Sequence, residues 1–132
     1  MRAMVNKKAV EGYGHNAIQS ELDYASPHRI IQMLMDGAIS KISAAKGCLK
    51  RNDVQGKSRQ ITWAMNIILG LQSSLDAEKG GSVAENLNAL YDYMGRQLLA
   101  ANVNNDEAIL DEILGLLTEV KSGWDGIPSE FH

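Results

Sequence analysis

The sequence predicts an all-α protein, an antiparallel up-down-up-down four-helix bundle with a flexible N-terminal arm. Three observations lead there. Apolar residues recur at steps of three and four almost throughout, and no alternating strand pattern occurs. The breaks between these segments hold only a few residues, which sets consecutive helices antiparallel. Helix start and stop residues stand at the breaks. A chain of 132 residues has room for one domain with a real core.

Ser26 and Pro27 open the first helix, since a serine oxygen accepts a first-turn N–H and the fixed φ of proline suits the first helical position. Ile31, Leu34, Ala38, Ile42, Ala45 and Leu49 then keep the helical rhythm, predicting a helix over 26–51. Asp53 caps a second helix, predicted over 54–79 from Ile61, Ala64, Ile68, Leu71 and Leu75, with Gly80-Gly81 as its stop. Ser82 and Glu85 have the spacing of a capping box. They precede a third helix over 83–103 that carries Val83, Leu87, Leu90, Met94, Leu98 and Ala101. Asp106 and Glu107 suit the positive end of a fourth helix over 106–125. Its stripe is Ile109, Ile113, Leu116, Val120 and Trp124, and Gly126-Ile127-Pro128 ends it. The bundle thus spans 26–127, with 128–132 as a flexible tail. Residues 1–25 hold Gly12 and Gly14 around Tyr13 and a short apolar pair, Ile18 and Leu22, and read as a loosely held arm.

Composition narrows the function. A formal charge of −3 and no block of Lys or Arg argue against a duplex DNA footprint or an anionic-membrane anchor. The first residues lack the apolar run of a signal peptide, and no stretch approaches the roughly 18 apolar residues of a membrane span. A cytosolic protein is expected. Cys48, the single cysteine, falls in an apolar helical pattern and reads as a small buried hydrophobe.

Bundles often house metals between their helices. The Glu-x-x-His pairs of di-iron bundles do not occur. His15, His28 and His132 share no helical face. No nucleophile elbow, Walker loop or dinucleotide fingerprint appears. The sequence therefore predicts no catalytic site, no metal and no cofactor. What it does show is apolar stripes broader than a closed bundle needs, with Leu110, Leu114 and Leu117 beside the main stripe of the fourth helix and Tyr91 and Tyr93 in the third. Gly37, Gly47, Gly70, Gly95 and Gly115 lie inside predicted helices, each at a cost of up to ~1 kcal/mol against alanine. Close approach of another helix, within the fold or from a partner, would compensate.

The strings ASPHRIIQMLMDGA at 25–38, LDAEKGGSVAENLNALYDYM at 75–94, LLAANVNND at 98–106 and EILGLL with Trp124 resemble the flagellin export chaperones of the FliS family. The likeness spans nearly the whole chain. It implies a cytosolic bacterial chaperone of flagellar type III export that holds the disordered C-terminal segment of flagellin, preventing early polymerisation and supporting export. A helical bundle with apolar grooves suits such a client, which orders on binding. The expected groove runs along the first and third helices with help from the second, lined by Ile31, Leu34, Ala38 and Ile42 on one side and Leu87, Tyr91, Met94 and Leu98 on the other. Gly37 would admit the client backbone, and Asn86 and Asn102 would hydrogen-bond it. The resemblance also implies that the arm acts as a lid through Tyr13 and Ile18. Export-gate components or another flagellar regulator are further partners, and the free protein is expected to be a monomer or weak homodimer. The alternative is a helical adaptor or anti-regulator of a non-flagellin flagellar protein.

Overall fold

The computed structural model describes residues 24–131, and the arm residues Tyr13 and Ile18 lie outside them. Four helices follow in order: α1 Pro27–Lys50, α2 Val54–Ser73, α3 Ala77–Asn104 and α4 Glu107–Asp125, with a short 3-10 turn over Ser129–Phe131. α1 packs on α2 and α4, and α3 packs on the same two helices, so α1 and α3 are diagonal. This is the up-down-up-down bundle the periodicity predicts.

The core repeats one spacing. Met35, Ala38, Ile42 and Ala45 of α1, Ile61, Ala64, Ile68 and Leu71 of α2, and Tyr91, Met94, Leu98 and Ala101 of α3 each step by three, four and three residues, and all are buried. That is the seam pattern of coiled-coil-like bundles. In α4 the buried line is Leu110, Ile113 and Leu117. The predicted stripe residues Ile109, Leu116, Val120 and Trp124 are half-buried along its edge. The core line thus takes Leu110 and Leu117 from the side line and Ile113 from the main stripe, while Leu114 is half-buried, because a helix wedged between two neighbours buries a band wider than one stripe.

Two interhelical turns use one device. Asn52 has φ 60° and Asn105 φ 51°, a left-handed conformation that asparagine tolerates. After Asn52, the Asp53 N–H donates to the Cys48 carbonyl at 2.8 Å and the Asn52 N–H to the Leu49 carbonyl at 3.1 Å, the two bonds of a Schellman motif. After Asn105, the Asp106 N–H reaches the Ala101 carbonyl at 3.0 Å. Each aspartate then caps the next helix: Asp53 Oδ1 accepts from the Gly56 N–H at 2.9 Å, and Asp106 Oδ1 accepts from Ala108 and Ile109 at 3.0 and 3.3 Å. An Asn-Asp pair therefore ends one helix and begins another within two residues.

The α2–α3 connection departs from expectation. α2 stops at Ser73, short of the predicted residue 79, because the Ser73 and Ser74 hydroxyls donate to the Gly70 and Leu71 carbonyls at 3.0 and 2.6 Å and satisfy the helix end. Helix resumes at Ala77, so Gly80-Gly81 is no stop; it is a break inside α3, where Gly81 adopts φ 54° and ψ −131°. The non-helical junction residue is Gly81, one before the expected cap Ser82. Only glycine adopts that conformation without strain. A Cβ on Gly80 would meet that of Ala84 at 2.6 Å, so both glycines are required for different reasons. Gly81→Ala is expected to cost about 1–3 kcal/mol, read as a lower urea midpoint.

Charges zip the α1–α4 seam. Lys46 pairs with Asp111, Lys50 with Glu107 at 3.8 Å, and Lys121 with Asp36 and Asp125 at 3.5 and 2.6 Å. Gln32 Nε2 adds a bond to Asp125 Oδ1 at 2.7 Å. The hydrogen bond from Lys121, then that from Gln32, holds the Asp125 carboxyl below its ordinary pKa of 3.8. A depressed folded-state pKa contributes stability above the unfolded value and loses it as pH falls through the folded one. Urea stability should therefore decline as pH drops below 3.8, with a shallower decline in Asp125→Asn.

Candidate partner-binding surface

The closed bundle places the expected groove residues in three settings. Ala38, Ile42, Tyr91, Met94 and Leu98 are core residues, and the Tyr91 hydroxyl pKa is raised by that burial. Ile31, Leu34 and Leu87 are half-buried against the core. Gly37 is buried and Asn86 exposed. Because α1 and α3 are diagonal, their stripes meet inside the bundle and leave no groove between those two helices. Asn102 is also engaged: its carbonyl accepts from Lys57 Nζ at 2.7 Å, and its Oδ1 accepts from the Ser58 hydroxyl at 2.9 Å.

An apolar surface lies instead on the α2–α3 seam. Two polar clasps mark its limits, Ser58 to Asn102 at one end and, at the other, the Gln72 amide donating to Asn88 Oδ1 and Asp92 Oδ1, each at 2.8 Å. Between them the flank of α2 runs through Thr62, Met65 and Leu69, and that of α3 runs from the clasp residue Asp92 through Gly95 and Leu99, at helical steps of three and four. Leu69 is 60% and Leu99 54% exposed, with Val54 and Val103 exposed at the turn end. The clasps set Met65 level with Gly95, whose missing Cβ would find nothing within 4 Å. Gly70 and Gly115 likewise face open space, so close packing inside the fold does not account for them.

The other seams are closed by polar or cationic contacts. On α1–α2, Lys41 Nζ lies 3.6 Å from the centroid of the Trp63 ring, and burial lowers the Lys41 pKa. On α3–α4, the Tyr93 hydroxyl donates to Glu112 Oε2 at 2.6 Å, a bond that raises its pKa. Near the α1 start, the Trp124 ring stacks on His28 at 4.8 Å, and its Nε1 donates to the His28 carbonyl at 2.9 Å. Among the described residues no group of three or more His, Cys, Asp or Glu is arranged to hold a metal, and no helix is long and apolar enough to cross a membrane.

Leu69 and Leu99 fall outside the stripes that the apolar periodicity marks. Their signal was present as doublets, Ile68-Leu69 and Leu98-Leu99, in which one residue keeps the core step and the next cannot.

Fold and surface together define a class: a small helical bundle that, among the described residues, exposes an apolar face on its α2–α3 seam. A family model described as flagellar protein FliS matches residues 9–130. The flagellar secretion chaperone FliSB of Pseudomonas aeruginosa is 44% identical over 124 residues, covering 94% of this chain and 98% of that protein. The flagellar secretion chaperone FliS of Salmonella typhimurium is 42% identical over 125 residues, 94% and 93% of the two chains. That of Vibrio cholerae is 40% identical over 124 residues, 94% and 91%. The chain belongs to the FliS family, and it is a flagellar export chaperone.

Proposed function

We propose that the protein holds the C-terminal segment of flagellin in the bacterial cytosol until export, with the α2–α3 face as the principal contact. The exposed pair Leu69 and Leu99, astride an open glycine and between two polar clasps, carries this reading. Burying such residues against an amphipathic segment releases apolar surface from water and offsets the segment's ordering cost. Leu87 extends the contact at its α3 margin, while Ile31, Leu34, Ala38, Ile42, Tyr91, Met94 and Leu98 support it from below. Asn86 and Asn102 stand on α3 at the ends of the contact without supplying its apolar area, and Gly37, buried in α1, lies behind it. Binding involves no catalysis and no cofactor; release belongs to the export gate.

Calorimetric titration with a peptide of the last roughly 50 residues of the same organism's flagellin, with circular dichroism of the mixture, tests this. Saturable binding, a negative heat-capacity change and a gain of helix are expected. No heat and no gain of helix, with the bundle folded, would transfer the role to a non-flagellin client. Gly95→Ala separates surface from scaffold. It should raise stability by up to about 1 kcal/mol, as alanine does in an uncrowded helix, while weakening client binding by filling the open approach. Unchanged affinity would remove Gly95 from the contact.

A further inference from the structure

We infer that the segment held on the α2–α3 face is an amphipathic helix of about four turns with acidic residues on both shoulders. The inference rests on the reading of that face as the client surface and adds the client's chemistry. Its length comes from the clasps. Ser58 and Gln72 are separated by as many residues as Asn88 and Asn102. At ~1.5 Å per residue that leaves about 21 Å between the clasps, close to four helical turns.

Its charge comes from what lies between them. Within that interval α2 carries Arg59 as its single charged residue, and α3 carries Asp92 and Arg96. The Asp92 carboxylate accepts the Gln72 amide, whereas both arginines are exposed and neither makes an ion pair with a described residue. Beyond the turn-end clasp, Asp53 and Asp106 already accept backbone N–H groups. The open stretch is therefore cationic on a chain whose net charge is −3.

Helix geometry sets Arg59 beside Ser58 and Arg96 beside Gly95, on the outward shoulder of each helix. A helix seated between Leu69 and Leu99 turns one flank to each arginine. In the clasp register the two arginines are offset by about five residues along the axis, roughly 8 Å. Residues five apart on a helix point about 140° from one another, so acids at that spacing on the client reach one arginine each. Such rim charges select partners and speed encounter more than they add affinity, and they are screened by salt.

The test titrates the full chain with the last roughly 50 residues of the organism's flagellin, and separately with two designed helices that share a leucine stripe but carry glutamate or lysine shoulders. Arg59→Glu/Arg96→Glu is compared with the wild type in low and moderate salt, with thermal melting as the check on folding. Wild type is expected to bind flagellin about tenfold more tightly than the charge-reversed variant at low salt, with the gap closing as salt rises. It should also prefer the glutamate helix, and the variant the lysine helix. Equal flagellin affinity for the two proteins would overturn the inference while leaving the flagellin reading intact. If flagellin binds neither protein, the flagellin reading fails, and the designed helices decide the rest: a preference that reverses with the arginines keeps the acidic-helix face, and no preference overturns it.

Discussion

Leu98→Ala is expected to lower the unfolding free energy by about 2–5 kcal/mol, the range for truncating a buried leucine. Leu99→Ser, one residue on, should change it by no more than about 0.5 kcal/mol, as exposed substitutions usually do. The difference is geometric. Leu98 is completely buried in the step that includes Met94 and Ala101, whereas Leu99 lies on the open flank and is 54% exposed. Client affinity should invert the order. Leu99→Ser, with Leu69→Ser, removes the apolar pair that a client would bury, while Leu98→Ala should affect affinity only in proportion to the unfolded fraction. Urea denaturation and calorimetry on both variants check this. A Leu99→Ser variant that binds normally would shift the client contact away from the α2–α3 face.

The contrast between those neighbours also explains what could be read from the chain alone. Helix existence, number and direction followed from periodicity, because every core line repeats the three-four step and Ser26, Asp53 and Asp106 cap as their residue types allow. The α2 end was less legible. Gly80-Gly81 has the composition of a helix stop, yet two serines upstream satisfy the α2 carbonyls first, and the glycines make a break in the next helix. The exposed apolar face was hardest to read. A stripe identifies the residues a helix buries without saying whether a neighbour or a client buries them. Once α1 and α3 prove diagonal, their two stripes satisfy each other, and the apolar surface left over is the out-of-step residue of each doublet. Asn102 illustrates the same limit, since an amide suited to a client backbone is held by Lys57 and Ser58.

Lys57 supports the second large prediction. Its side chain is among the largest that are fully buried, and its ammonium donates to the Asn102 carbonyl in the last turn of α3. Those last carbonyls have no partner within their own helix and carry the negative end of its dipole, so a cation there satisfies both needs. The neighbouring Ser58 to Asn102 bond fixes the same residue from its side chain. Lys57→Ala removes the charged donor and leaves a cavity where the methylene stem was, and is expected to cost about 4 kcal/mol, from ~0.8 kcal/mol for each of the three buried methylenes removed plus the lost charge-assisted bond. Lys57→Met keeps most of the stem and isolates the hydrogen bond, for which about 1–2 kcal/mol is expected. Hydrogen exchange should then quicken first at the C-terminal turn of α3 and the start of α4, where Asp106 depends on the geometry of the preceding helix end. Equal stability of Lys57→Met and wild type would mean that desolvating the ammonium offsets its bond to Asn102, leaving the buried stem as the contribution of Lys57 to this end of the bundle.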